Sequence, residues 1–284
     1  MLKNNKFNFT GEGSQYFGIL IANFFLCIFT IGFYIPWAIV KSMKYTLENT
    51  TFSGKAFSYT GNGKDLFKGY LIFFGALVVY SLLMQVNQAL GILFYLALVI
   101  GGMPYAMHAL LTYDAKNTSW SEKAFDFQSD LVEFIKLFAI NIGLTIITIG
   151  IYGSWASVAI KKYILQHLKI GRLTFDFDGD GMALFILTLK GILLTMVTFG
   201  IYGFWFVKDL NHYNTNNLVV YQDGKKCNFS SDLKVGDVFN MMFIGGLLIM
   251  ITFGIAMAWV QMRNMRIMLT AIEISDELDA ENIA

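Results

Sequence analysis

The stretch Thr30-Ile-Gly32-Phe-Tyr34-Ile-Pro-Trp37 closes a long apolar run near the start of the chain, and a similar stretch closes three later apolar runs. These copies are Thr148-Ile-Gly150-Ile-Tyr152-Gly-Ser-Trp155, Thr198-Phe-Gly200-Ile-Tyr202-Gly-Phe-Trp205 and Thr252-Phe-Gly254-Ile-Ala-Met-Ala-Trp259. A pattern that recurs along a chain decides its architecture, because each copy is one structural unit that packs on its neighbours. The sequence therefore predicts a protein built from internal repeats.

A short segment with alternating aromatic residues precedes the apolar runs. Its clearest copies are Phe7-Asn-Phe9-Thr-Gly11-Glu-Gly13, Phe57-Ser-Tyr59-Thr-Gly61-Asn-Gly63 and Phe175-Asp-Phe177-Asp-Gly179-Asp-Gly181, and weaker copies begin at Phe125 and Phe229. A period of two with aromatic residues is typical of a β-strand, and the glycines end it. We predict short β-hairpins at the membrane surface, because unpaired backbone inside lipid is costly.

The composition indicates a membrane protein. Hydrophobic residues make up 56% of the 284-residue chain, charged residues only 14%, and the mean hydropathy is +0.54. Six apolar stretches approach the ~20 residues that cross a bilayer; they are residues 14–35, 66–84, 90–107, 131–151, 182–207 and 235–260. We therefore expect an all-α transmembrane fold of about six helices in one integral membrane domain, residues 1–284. The net charge of +1 argues against a nucleic-acid partner.

The organisation predicted from the motifs is five repeats followed by an acidic C-terminal tail at residues 269–284. The repeats lie at about residues 7–50, 57–113, 125–168, 175–217 and 229–268, and the second contains two helices. Single-crossing repeats in succession alternate in direction, so the third and fourth are expected to be inverted relative to each other.

Each motif Trp is followed, seven residues later, by a residue that is basic or can become so. These residues are Lys44, Lys162, His212 and Arg266. Seven residues are almost two helical turns, so the ring and the cation share a helix face. One interpretation is an interfacial anchor, with the ring in the aromatic belt and the cation at the head-group phosphates. The other is a specific contact with a lipid or an anionic substrate.

The remaining motif residues are interpreted as architectural. Gly32, Gly150, Gly200 and Gly254 allow a bend or a close helix contact. Tyr34, Tyr152 and Tyr202 complete the motif, whereas Ala256 takes this position in the last copy.

Three polar residues fall inside the predicted spans. Lys190 lies in the fifth, where a charge is costly, so the alternatives are a functional role and snorkelling to the nearer interface. Asn23 and Asn141 stand at one depth with Gly191 and Gly245, which suggests helix packing. Together with Lys190 the two amides are the candidate polar site of a transporter.

No catalytic, metal or cofactor site is predicted. The segment from Asp176 to Gly181 matches the opening of a calcium loop, but Leu187 stands where a bidentate Glu is required. The three histidines lack zinc-ligand spacing, and no Gly-x-Ser-x-Gly nucleophile elbow occurs. The expected function is that of a non-enzymatic membrane scaffold or accessory subunit. The alternative is a transporter or lipid-handling protein with a polar site near Lys190.

The aromatic-glycine strand, the apolar run and the Thr-x-Gly-x-Tyr-x-x-Trp ending, repeated from about Phe7 to Arg266, resemble the YjgN-like family of bacterial inner-membrane proteins. The resemblance implies a multi-pass protein of the bacterial cytoplasmic membrane and no particular reaction. The partners it implies are membrane lipids and an envelope protein such as a membrane protease.

Overall fold

A computed structural model describes residues 5–275 and 278. Ten short strands form one antiparallel sheet in sequence order. They are β1 (Phe7–Phe9), β2 (Thr50–Phe52), β3 (Lys55–Tyr59), β4 (Thr118–Trp120), β5 (Lys123–Phe127), β6 (Leu168–Ile170), β7 (Leu173–Phe177), β8 (Leu218–Gln222), β9 (Lys225–Ser231) and β10 (Ile272–Ile274).

Two helices follow every odd-numbered strand. They are α1 (Gly13–Phe29), α2 (Ile35–Glu48), α3 (Gly63–Val86), α4 (Gln88–Asn117), α5 (Leu131–Ile147), α6 (Gly153–Gln166), α7 (Gly181–Val197), α8 (Gly203–Asn216), α9 (Val235–Ile251) and α10 (Met257–Thr270). Single π-helical turns interrupt α4 at Leu98–Gly102 and α9 at Asn240–Ile244.

The described chain thus contains five strand–helix–helix–strand units, numbered here units 1 to 5. The two strands of a unit pair with each other, as Phe9 of β1 does with Thr50 of β2. One further backbone bond recurs at the base of every unit, where the residue after the first strand donates to the end of the second helix. These bonds are Thr10 N to Asn49 O, Thr60 N to Asn117 O, Gln128 N to His167 O, Asp178 N to Asn217 O and Asp232 N to Ala271 O, all 2.8–2.9 Å.

Tight turns join consecutive units at the end of the sheet opposite the helices. At three of the four junctions both central residues have positive φ, as a type I′ hairpin turn requires. These pairs are Ser53-Gly54, Ser121-Glu122 and Asp223-Gly224. Each unit therefore leaves the sheet, makes a helical hairpin and returns to the same sheet.

The first and last units meet, so the ring of units is nearly closed. Lys6 and Glu273 form an isolated antiparallel bridge, and their side chains are paired with Nζ 3.6 Å from Oε1. Helix α10 packs against α1. Arg266 of α10 also donates to the carbonyls of Phe9 and Gly11, both at 3.2 Å.

One face of the sheet carries the main core. The leading phenylalanines of successive units stack, with ring centroids 6.5 Å apart from Phe7 to Phe57, 6.5 Å from Phe57 to Phe125 and 6.4 Å from Phe125 to Phe175. The buried residues against which they pack are Phe52, Trp120, Ile170, Leu173, Val220, Cys227, Ile274 and Leu278. The period-two aromatic pattern thus gives every unit a share in one apolar core.

The predicted all-α fold with six transmembrane helices is wrong. The Thr-x-Gly motif does not end a span but turns the chain between the two helices of a unit, and the segments predicted as separate surface hairpins join one ten-stranded sheet. Helices α1, α5 and α7 have 17 residues each, about 25 Å at 1.5 Å per residue, which is short of ~30 Å of hydrocarbon. Among the described residues, two helices are long and apolar enough to cross a membrane, Gly63–Val86 and Gln88–Asn117.

The expected inversion of the third and fourth repeats is also wrong, because units that return to one sheet run in the same direction. The predicted acidic tail at residues 269–284 includes the last two residues of α10 and all of β10. Its residues 276–277 and 279–284 lie outside the described residues.

Candidate functional site

The repeated Thr-x-Gly motif forms the tip of the helical hairpin in units 1, 3, 4 and 5. In unit 4 the Thr198 hydroxyl donates to the carbonyl of Leu194 at 2.7 Å and accepts from the Tyr202 amide at 2.9 Å. Thr30, Thr148 and Thr252 make the same pair of bonds in their own units. The hydroxyl therefore joins the end of the first helix to the start of the second.

The residue after each Thr has a left-handed backbone although it is large and apolar. Its φ is +51° at Ile31, +52° at Ile149, +50° at Phe199 and +50° at Phe253. The next residue is the motif Gly, whose N–H bonds to the carbonyl five residues earlier, as from Gly200 to Thr195 at 2.8 Å. This is a Schellman turn, in which Gly ordinarily holds the left-handed position. A side chain there costs roughly 1–2 kcal/mol.

These four strained side chains are also the most exposed apolar groups of the tips. The exposed fraction is 88% for Ile31, 94% for Ile149, 97% for Phe199 and 97% for Phe253. Contacts inside the described chain therefore do not compensate for the strain. A backbone outlier of this kind, at the apex of four units, makes these residues candidates for a functional role.

The motif Tyr and Trp form a stacked pair on the first turn of the second helix. Ring centroids lie 6.0 Å apart for Tyr34 and Trp37, 6.0 Å for Tyr152 and Trp155, and 6.1 Å for Tyr202 and Trp205. Three of the tryptophans also reach the next unit, where each lies on a Phe one turn into its first helix. These contacts are Trp37 to Phe67 at 5.1 Å, Trp155 to Phe185 at 5.3 Å and Trp259 to Phe17 at 5.0 Å.

Glycine at the start of the next helix makes this approach possible. A Cβ atom at Gly63, Gly181 or Gly13 would lie 2.4–2.5 Å from the indole ring of Trp37, Trp155 or Trp259. In units 3 and 5 the same position holds Leu131 and Val235 instead of Gly. Three tryptophans thus join neighbouring hairpins, and the last of them joins unit 5 to unit 1.

The four residues that follow the tryptophans by seven positions do not share one role. Arg266 bonds to backbone of unit 1, and His212 Nε2 lies 2.8 Å from the carbonyl of Leu233 in unit 5. Lys44 pairs with Glu48 of its own helix, at 3.7 Å. Lys162 is exposed and has no hydrogen bond or ion pair within the described chain. Two of the four therefore hold the junction between units.

The three polar candidates of the predicted spans lie apart. Asn23 and Asn141 are buried within their own hairpins, where their amide groups donate to Ala38 O at 3.3 Å and Leu137 O at 2.8 Å. Gly191, at the equivalent position, lies against Phe206. Lys190 is exposed and has no hydrogen bond or ion pair in the part of the chain that the structure describes. The arrangement thus gives no support to a transporter site built around Lys190.

An interhelical cleft that the sequence did not reveal lies between units 2, 3 and 4. Its volume is about 610 Å³. The apolar part of its wall consists of Met107, Phe138, Ile160, Ile164, Leu165 and Leu218, and the polar part of Ser157, Lys161, Asn214 and Thr215. Lys161 is half-buried in this wall. The available signal was the pair Lys161-Lys162, since the repeat explains only the second lysine.

The acidic residues of the calcium-like segment all have structural partners. Asp180 accepts from the Ala183 amide at 2.8 Å as the cap of α7, and Asp176 accepts from the Phe177 amide at 2.7 Å. Asp178 pairs with Lys226 at 2.6 Å, and its hydrogen bond raises the pKa of that lysine. Within residues 5–275 and 278, no cluster of three or more His, Cys, Asp or Glu could hold a metal ion.

Comparison with known proteins gives the family. A model described as "Bacterial protein of unknown function (DUF898)" matches residues 4–139, 122–186 and 215–284. Inner membrane protein YjgN of Salmonella typhimurium is 35% identical over 129 residues, or 45% of this chain and 32% of that protein. The protein of the same name from Escherichia coli O157:H7 is 31% identical over 131 residues, again 45% and 32%.

These matches span about a third of the length of the curated relatives. No solved structure matches the chain. The resemblance predicted from the strand and turn motifs is confirmed, and the chain belongs to the family of bacterial proteins described as DUF898, in the YjgN-like group.

Proposed function

We propose that this chain is a multi-pass scaffold of the bacterial inner membrane, built by duplication of one strand–helix–helix–strand unit. Its helical hairpins enter the lipid from one side, and the sheet at their base holds an envelope protein such as a membrane protease. The proposal assigns it no reaction. The name of the curated relatives, inner membrane protein, supports the location.

The observation that carries the proposal is the set of four strained apolar tips. Ile31, Ile149, Phe199 and Phe253 are almost fully exposed in a conformation that costs roughly 1–2 kcal/mol each. Moving such a side chain from water into hydrocarbon gains about 1.5–3 kcal/mol, enough to offset that strain. In lipid, a tip with a strained apolar side chain therefore has a lower free energy than a tip with an unstrained Gly or Asn.

Helix lengths suggest how far each hairpin enters. The 17-residue helices α1, α5 and α7 reach about 25 Å, which ends inside the hydrocarbon. Helices α3 and α4 of unit 2, with 24 and 30 residues, are long enough to cross and return. Unit 2 then supplies two crossings, and the other hairpins enter without emerging.

The opposite end of the sheet has the chemistry of an aqueous surface. Its turns carry Ser, Asp, Glu, Arg and Gly, and Arg172 pairs with Asp223 across two neighbouring turns at 3.7 Å with both side chains exposed. Charged residues placed there stay in water while the tips lie in lipid. This polar rim is the surface we assign to the protein partner.

Accessibility of single cysteines in membranes tests the insertion. In a variant with Cys27→Ser and Cys227→Ala, one cysteine replaces Phe199 at a tip or Asp223 at a turn. A membrane-impermeant maleimide should label position 223 from one side only and position 199 from neither. Labelling of position 199 from either side of intact membranes would overturn the insertion of the short hairpins.

Purification in mild detergent tests the scaffold role. The full chain should recover an envelope protein in stoichiometric amount, and reversal of charge at the rim, Arg172→Glu, should reduce that recovery. Lys64→Glu, an exposed residue at the start of α3 and away from the turns, is the matched control and should leave recovery unchanged. Repeated isolation of the chain alone would count against a scaffold.

A further inference from the structure

The cleft between units 2, 3 and 4 has the size and lining of a ligand site. Its volume of about 610 Å³ falls within the ~300–1,000 Å³ of small-molecule pockets, and its wall is mostly aliphatic. Three helices from different units contribute, as Met107 of α4, Ile164 of α6 and Thr215 of α8 do. Because no single hairpin forms this cleft, it exists only in the assembled ring.

Lys161 supplies the only cation in the lining and has no acidic partner within the described chain. Its ammonium group donates to the amide oxygen of Asn214 and lies 4.9 Å from the centre of the Phe177 ring. Half-burial costs this charge part of its hydration, and a neutral amide and a ring face compensate only part of that loss. The group is therefore suited to bind an anion.

Apolar lining lies on both sides of Lys161 along its helix. Lys161 is the ninth residue of α6, counted from the tip, so it lies about 12 Å along the helix axis from the first residue. Ile160 precedes it, and Ile164 and Leu165 follow it toward the sheet. The ammonium group is therefore flanked by surface that an acyl chain can cover.

We propose that this cleft binds an anionic phospholipid, with one acyl chain against the aliphatic wall and a phosphate oxygen on Lys161. Asn214 then donates through its amide nitrogen to the same head group. This inference rests on the proposed function only for the presence of lipid around the hairpins, since binding itself does not require insertion of the tips. Measurements on the full chain in detergent therefore test the two ideas separately.

The test titrates the purified chain, in zwitterionic detergent, with phosphatidylglycerol, diacylglycerol or oleate. Phosphatidylglycerol should bind at least about tenfold more tightly than diacylglycerol, which has no phosphate, and this difference is the size of one charge-assisted hydrogen bond. Lys161→Gln should abolish that preference, and Lys161→Arg should keep most of it. The neighbouring Lys162→Gln, which removes an exposed charge without a partner, is the matched control and should behave like the parent.

A second variant, Ser157→Trp, places a large ring in the cleft and leaves the cation in place. It should weaken binding of phosphatidylglycerol, and it keeps the proposal testable if Lys161→Gln fails to fold. Equal affinity for phosphatidylglycerol and diacylglycerol, or equal loss in Lys162→Gln, would overturn the site. Tighter binding of oleate than of phosphatidylglycerol would show that the head group is a carboxylate and refute a phospholipid.

Discussion

The indole ring of Trp155 covers Gly181, the first residue of α7 in the next unit, so closely that a Cβ atom at position 181 would lie 2.4 Å from Cδ1 of the ring. Trp37 covers Gly63, and Trp259 covers Gly13 in the same way. The last pair joins unit 5 to unit 1. Contacts between an indole and a helical glycine therefore help to hold neighbouring hairpins together in the nearly closed ring of five units.

Replacing Gly181 by Leu should separate units 3 and 4. The added side chain overlaps the Trp155 ring, and overpacking of a tight contact costs about 1–3 kcal/mol. Thermal unfolding of the purified protein in detergent measures the loss. Gly143→Leu, on α5 where a Cβ atom meets nothing within 4 Å, is the control and should leave the unfolding temperature nearly unchanged. Equal effects at both positions would refute the junction role of Gly181.

Replacing the tip glycine Gly200 by Leu should also destabilise the folded protein, for a different reason. A Cβ atom at Gly150 or Gly200 would meet nothing within 4 Å, so close helix packing is not what requires Gly there. The backbone requires it, since φ is +89° at Gly150 and +94° at Gly200. We expect a cost of about 1–3 kcal/mol from this strain.

Comparison of unfolding temperatures checks that reason. Gly200→Asn should cost less than Gly200→Leu, because Asn tolerates positive φ better than other side chains. Gly246→Leu, at an α9 position without positive φ and with open space, should cost least. If Gly200→Asn and Gly200→Leu are equally harmful, the conformational explanation is wrong.

The sequence predicted local structure well where the signal was local. The alternation Phe7-x-Phe9 gave a strand, and the following glycines gave its end, because side-chain period and turn chemistry act within a few residues. The sequence also showed where the motif recurs, but it did not show that the motif forms a turn between two helices. Thr30 and Gly32 suit both the end of a span and a tight turn. Because Ile31 between them is apolar, a hydropathy profile does not show the turn.

The sheet and the cleft could not be predicted in this way, because they depend on pairing between distant residues. Phe9 pairs with Thr50 only after a whole helical hairpin has closed. Lys161 becomes half-buried only when helices of three units come together. Its neighbour Lys162, with the same side chain, remains exposed. The two lysines differ in the face of α6 that they occupy, and the neighbours of each face are set by the ring.

Arg266→Ala should weaken the closure between unit 5 and unit 1. The guanidinium group donates to two carbonyls of unit 1, Phe9 O and Gly11 O, and hydrogen bonds from a charged group contribute about 1.5–3 kcal/mol. The unfolding temperature should fall, and hydrogen exchange of the backbone in β1 should become faster. Lys162→Ala removes the equivalent cation of unit 3, which has no partner among the described residues, and should change neither measurement. Unaltered exchange in β1 of the Arg266 variant would refute its role in closure.

Phe199→Asp should expel the tip of unit 4 from the bilayer without unfolding the unit. The side chain is 97% exposed, so its loss removes few contacts within the protein, and Asp accepts a left-handed backbone more readily than Phe. An aspartate deep in hydrocarbon costs roughly 2.5–3.5 kcal/mol.

In the variant that lacks both native cysteines, Ile201→Cys places a single thiol at the tip as a reporter. An impermeant maleimide should label position 201 only when Phe199→Asp is present, and Phe199→Leu should keep it protected because the tip stays apolar. Protection of position 201 in the Asp variant, with an unfolding temperature like that of the parent in detergent, would show that something other than lipid covers the tip.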